Sequence, residues 1–309
     1  MADRSEVLAG RILVVAFEGW NDAGEAASGA VRTLKDVLDV VPLHEIDPEL
    51  YYDYQFTRPV SSFDDDGRRI LSWPGAAFYG PRSPGHGPKV PHSMAEDAEM
   101  QVSGHNESNI YLVLGTEPSR TWKAFAAEIM DAALAADIGT IVFLGSMLAD
   151  VPHTRPITVF AASDNPLVRR QLDIERSTYE GPTGILGVLG DAAEQLGIPT
   201  ISIWASVPHY VHNAPSPKAM LALIDKLEEL VDVTIPRGDL VAESAAWESG
   251  IDALAADDED MAAYIEQLEE QRDTVESPEA SGEAIAKEFE RYLRHREKPG
   301  DGGPVTGQG

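Results

Sequence analysis

The chain is 309 residues long, has no cysteine, and carries 52 Asp and Glu against 24 Lys and Arg, a formal net charge of -28. Lack of cysteine excludes a disulfide framework, cysteine zinc sites and thiol nucleophiles. The acidic surface opposes attraction to a phosphate backbone, so no nucleic-acid partner is expected. A hydrophobic content of 43% over this length supplies the core of one large domain plus a smaller appendage.

The apolar run at 12–17 is far shorter than a membrane-spanning helix and lacks the flanks of a signal peptide, so the chain reads as cytoplasmic with no membrane contact. It belongs to a first candidate strand at 11–17. Glu18-Gly19-Trp20-Asn21-Asp22-Ala23-Gly24 then leads into a helix at 23–38. Gly19 permits a sharp turn, and Asn21 or Asp22 either caps that helix or leaves its amides open to an anion. A strand at 41–46 follows. Asp64-Asp65-Asp66-Gly67 favours a tight hairpin between 61 and 73, which makes the sheet mixed. Residues 79–106, rich in Gly, Pro, His and charge, read as a long surface loop.

Strands at 109–114, 140–144, 157–161 and 200–205 alternate with helices at 119–136, 184–196 and 217–231. Most of these strands are continuously apolar, as strands covered on both faces are, and the alternation is that of a three-layer α/β/α domain with a mostly parallel mixed sheet. In such a sheet the loops at the carboxyl ends of the strands share one edge and bind ligands there. Two of them carry Val-Pro-His, at 151–153 and 207–209. His153, Arg155 and His209, with Asp22 and with Glu117 after the fourth strand, are therefore the polar groups of a candidate crevice. An imidazole beside a carboxylate and a guanidinium serves acid/base chemistry or anion binding, or else braces a rigid Pro-flanked loop. Glu117 and Pro118 equally suit the start of the helix behind them. Gly181, Thr183 and Gly184, in YEGPTG before the helix at 184–196, join Gly19 and Asn21 as candidate anion-binding loops. Neither GxGxxG, GxxxxGK[ST] nor HExxH occurs, so no cofactor and no metal is expected.

After Pro236 the character changes. Sixteen acidic side chains lie between Glu243 and Glu290 against Arg272 and Lys287, with Met261, Ile265 and Leu268 at helical spacing. The division expected is a core domain at 1–235, an acidic helical appendage at 236–297 and a disordered tail at 298–309.

Taken together, GWNDAG at 19–24, YQFTRP at 54–59, WPG at 73–75, LGTEPS at 114–119, LGS and DVPHTRP within 144–156, YEGPTG at 179–184 and VPHYV at 207–211 resemble the prokaryotic branch of the proteasome assembly chaperone family, the branch related to its second subunit. The resemblance spans about residues 12–230. It implies a phosphorylase-like fold, self-association, with a trimer as the implied number, and a proteasome subunit as possible partner. The eukaryotic members dock by a C-terminal hydrophobic-Tyr-any tail, whereas Val305-Thr306-Gly307-Gln308-Gly309 holds no aromatic residue, so docking of that kind is not expected. The reading is a homo-oligomeric, assembly-chaperone-like interaction protein without catalysis. The alternative is a hydrolase or phosphorylase-like enzyme, or a small-ligand binder, using the strand-end crevice.

Overall fold

A computed structural model describes residues 8, 10–82, 109–231 and 234–274. Its centre is set by RILVVAFE, the strand β1 (Arg11–Glu18), with six consecutive buried residues. Side chains alternate across a strand. Ile12, Val14 and Ala16 therefore enter one core layer, and Leu13, Val15 and Phe17 the other.

The remaining strands are β2 (Val40–Glu45), β3 (Val60–Phe63), β4 (Arg69–Ser72), β5 (Ala76–Pro81), β6 (Ile110–Thr116), β7 (Ile138–Ala149), β8 (Val159–Ala162) and β9 (Thr200–Pro208). Seven of them form one sheet in the order β2-β5-β6-β1-β7-β9-β8. The four central strands β6, β1, β7 and β9 are parallel, and β5 and β8 are antiparallel to their inner neighbours. Helices α1 (Ala26–Val37) and α6 (Pro217–Val231) cover one face, and α3 (Trp122–Ala135) and α5 (Ile185–Gln195) the other. The three-layer α/β/α architecture with a mostly parallel mixed sheet is thus present, in an arrangement compatible with a phosphorylase-like fold. Two helices follow the sheet: α7 (Leu240–Ala256) packs on α6, and α8 (Glu259–Thr274) packs on α7.

Several elements depart from expectation. Residues 79–81, expected as the start of the long loop, instead complete β5, because Ala76, Phe78 and Gly80 alternate inward between β2 and β6 despite the Gly-Pro that ends the run. Residues 83–106 of the expected loop lie outside the described residues, as do residues 275–297 of the expected appendage and the tail. The Asp-Gly hairpin forms as β3–β4, but as a separate two-stranded sheet. Antiparallel β5 and β8 are what make the main sheet mixed. Two short helices, α2 (Pro48–Tyr51) and α4 (Pro166–Leu172), begin at Asp47 and Asn165, whose side chains accept the first backbone amides.

Candidate functional site

Parallel β6, β1, β7 and β9 end at Thr116, Glu18, Ala149 and Pro208, so the loops bearing Glu117, Asp22, His153 and His209 leave one edge of the sheet. Along that edge they stand at different heights. Asp22 pairs with Ser146, whereas β7 and β9 stay paired to Ala149 and Pro208. Three further residues carry the His loops about 10 Å beyond Asp22. The candidate residues accordingly form two groups.

The lower group lies around Gly184. Asp22 is buried, and its Oδ1 accepts the amides of Ala27 and Ser28 at 2.8 and 3.0 Å, so it caps α1 from within. Burial raises its carboxyl pKa above the ordinary value, and the hydrogen bonds from Ser28 and Ala27 oppose that rise. Gly19 takes a positive φ of 122°, and its carbonyl accepts the amide of Asp22. Asn21 is buried, with its carbonyl on the Ser146 amide at 2.8 Å. Glu117 does not start its own helix, which begins only at Trp122 after a left-handed Thr121. Its Oε1 instead accepts the amide of Ile185 at 2.8 Å, at the start of α5. A Cβ at Gly184 would collide with the Asn21 amide and the Glu117 carboxylate, so glycine is required for this three-way contact. Gly181 and Thr183 are exposed beside it, with the Tyr179 hydroxyl on the Pro182 carbonyl. Three of the helix-start amides that an anion would use, those of Ala27, Ser28 and Ile185, are held by Asp22 and Glu117. An external anion at those amides would have to displace a resident carboxylate.

The upper group faces α7 and α8. His153 is 1% exposed. Its backbone amide donates to the Tyr210 hydroxyl at 2.7 Å, Nδ1 lies 2.9 Å from the same oxygen, and Nε2 lies 3.0 Å from Asp252 Oδ1 on α7. Tyr210 has one proton to give, which serves Nδ1 and leaves Nε2–H to donate to Asp252. Burial pushes the Tyr210 hydroxyl up to about 12, which keeps that proton in place. Arg155 grips Asp273 of α8 through two bonds of 2.9 and 2.7 Å and reaches Glu269 at 3.4 Å, while the Thr154 hydroxyl donates to Glu269. His209 Nδ1 stands 3.3 Å from Asp150 Oδ1 without a hydrogen bond, and its ring meets Tyr210 and Tyr264 edge-on. Lys218 bridges the His153 carbonyl and Glu248 of α7. Arg155 of the first Val-Pro-His loop and Lys218 of α6 thus hold the acidic helices by ion pairs, and His153 holds α7 by a hydrogen bond.

Sequence reasoning had no signal for a cavity of about 490 Å³ on the α5 face, between that helix and β8–β9. Asn21, Thr183 and Gly184 line one end of it, whereas Asp22, Glu117, His153, Arg155 and His209 do not line it. No group of three or more His, Asp or Glu suited to a metal ion occurs among the described residues, and none of their helices is long and apolar enough to cross a membrane.

This geometry defines an α/β/α protein whose strand-end loops are occupied by the chain's own carboxylates and helices. The chain belongs to the PAC2 family, whose model matches residues 16–255. It is similar to a PAC2 family protein from Streptomyces avermitilis MA, with 40% identity over 82% of this chain and 98% of that one, at a TM-score of 0.68. It is also similar to a proteasome-assembly chaperone homologue from Mycobacterium tuberculosis, with 39% identity over 82% and 99% of the two chains, at a TM-score of 0.67. A Mycobacterium tuberculosis protein of unknown function is 25% identical over 94% and 91%, with a TM-score of 0.74. No curated protein matches the chain.

Proposed function

We propose that this protein is an assembly-chaperone-like factor that acts in the cytoplasm by binding protein, as a homo-oligomer and without turning over a substrate. Family membership and the likeness to a proteasome-assembly chaperone homologue support the chaperone-like role. They make a proteasome subunit the partner to test first.

The observation that carries the reading is the β3–β4 arm. Its register puts Val60 and Ile70 on one face and Phe63 and Leu71 on the other. Both faces are open: Val60 is 64%, Phe63 63% and Leu71 57% exposed, and Phe56 before the arm is 85% exposed. Tyr54 and Trp73, in edge-to-face contact at 4.8 Å, close its base. An isolated two-stranded hairpin is marginal in water, and apolar surface of this kind marks an interaction site. The occupant is a second copy of this chain. Residues 54–75 carry three Asp and three Arg, net zero, within a chain of -28, so two copies meet here without the repulsion that opposes contact elsewhere.

Sedimentation velocity tests this. Wild type is expected to sediment as an oligomer, with a trimer the number the family resemblance implies. The Phe63→Ser/Leu71→Ser double variant should sediment as a monomer with an unchanged circular dichroism spectrum. A monomeric wild type, or an oligomer indifferent to the substitutions, removes the arm from the account. Retention of the wild type on immobilised proteasome α-subunits is the separate test of the partner, and no retention rejects it. Small-ligand binding is the second reading, favoured by the cavity beside α5.

A further inference from the structure

The cavity on the α5 face is a trough with chemically distinct ends. Its floor is the side of β9 opposite Ile201, Ile203 and Ala205, which enter the α1/α6 core. That places Thr200, Ser202 and Trp204 in a row, about 13 Å from first to last at strand rise. Phe160 and Ala162 of β8 stand opposite Trp204 and Ser202 in register. Trp204 is seated by its other neighbour: a Cβ at Gly145 would come within 2.7–2.8 Å of three atoms of the indole, so only glycine lets the ring lie against β7. The upper end of the trough is therefore lined by the aromatic side chains of Trp204 and Phe160, with Trp20 and Asn21 at its mouth.

The α5 wall is opened by Gly190, while Gly187 makes room for the Thr183 side chain, and it descends to Asp191 and Glu194. Glu194 accepts the Thr200 hydroxyl at 3.0 Å, and Asp191 accepts the Gln195 side-chain amide at 2.7 Å. Neither carboxylate has a cationic partner among the described residues. Asp164 on the opposite rim is different, since Arg176 pairs with it at 2.7 Å. The lower end is thus the part of the trough where negative charge is left for a ligand.

We propose that this trough binds an elongated organic cation. Its apolar or aromatic head lies over Trp204 and Phe160, and its ammonium or amidinium tail sits at Asp191 and Glu194. A volume of about 490 Å³ suits a small molecule of this class. An aromatic lining attracts apolar surface, and carboxylates hold a cationic tail by charge-assisted hydrogen bonds. The proposal stands apart from the chaperone-like reading, because the arm and the trough share no residue.

Titration calorimetry of the full chain with 5-phenylpentylamine, 5-phenylpentan-1-ol and benzylamine tests it. The long amine is expected to bind saturably and about tenfold or more tighter than the alcohol, which lacks the charge, and than benzylamine, which is too short to reach both ends. Asp191→Asn/Glu194→Gln should bring the amine to the level of the alcohol. Gly190→Leu should abolish binding of both, since a Cβ there meets only Phe143 at 3.8 Å and the larger side chain is free to fill the trough. Thermal unfolding of each variant checks that the fold is kept. Absence of saturable amine binding, equal affinity for amine and alcohol, or binding that survives Gly190→Leu each overturns the proposal.

Discussion

Asp22 meets two opposed demands, because α1 needs an acceptor at its first amides and burial penalises a charged one. Its folded pKa is raised above the ordinary 3.8, chiefly by that burial. A raised carboxyl pKa means that the native state holds the proton more tightly than the unfolded chain does. The favourable contribution is therefore full below 3.8 and is lost as pH rises through the folded value. Asp22→Asn keeps an acceptor for Ala27 and Ser28 and carries no charge. In urea denaturation from pH 4 to 7, its stability should gain steadily on wild type and then level off, and a pH-independent difference would contradict the burial argument. The capping role was legible, because Asn-Asp-Ala-Gly ahead of an apolar helical run is a local signal. The role of His153 was not, since its partner Asp252 lies 99 residues further on and no local pattern links them. Pairing the two Val-Pro-His loops located the edge of the sheet correctly but said nothing of which element covers them.

At the scale of elements, α8 is held to the body by its packing on α7, by the Tyr264 ring against His209 and Tyr210, and by its contacts with the first Val-Pro-His loop. Ile265 and Leu268 are its buried apolar anchors, while Glu269 and Asp273 engage Thr154 and Arg155. Arg155→Ala should speed amide hydrogen exchange across 259–274 and leave α5 unchanged, since α5 is buried against the other face. The effect also has a pH signature. The hydrogen bonds from Arg155 hold the Asp273 carboxyl below its ordinary 3.8, so the contact contributes above that value and is lost as pH falls through the lowered one. The exchange difference between wild type and variant should shrink in strong acid, and uniform exchange in both proteins at neutral pH would contradict this role for Arg155. The long elements of the fold were readable from sequence because β1, β6, β7 and β9 each carry a mainly apolar run and the helices between them carry clear periodicity. Three short elements were not. β5 is six residues ending in Gly-Pro, and α2 and α4 are too short to display a period, so each is defined by the neighbour it pairs with or by one capping side chain.

The whole molecule is a compromise between an apolar core and a charge of -28, and that charge is unevenly placed. Residues 239–309 hold 19 acidic and 6 basic side chains, net -13, which leaves -15 on residues 1–238. Only Leu240 of α7 enters the core cluster shared by β1, α1 and α6. Removing residues 239–309 therefore takes one leucine from that cluster, worth about 2–5 kcal/mol, together with the burial of Ile251, Ala255, Ile265 and Leu268 outside it. It also leaves His153 Nε2 without Asp252, at about 1–3 kcal/mol for a buried polar group stripped of its partner. Relief of self-repulsion between the acidic helices and an acidic body acts the other way. The truncated chain should still unfold in one cooperative transition, at a lower midpoint than the full chain. Salt separates the two contributions, since screening shortens electrostatic reach to about 8 Å at physiological ionic strength. Raising sodium chloride from low to physiological concentration should lift the midpoint of the full chain clearly and that of the truncated chain much less, because nearly half the net charge is gone. Loss of a cooperative transition on truncation would make α7 and α8 part of the folding unit and would move the boundary expected at 235/236.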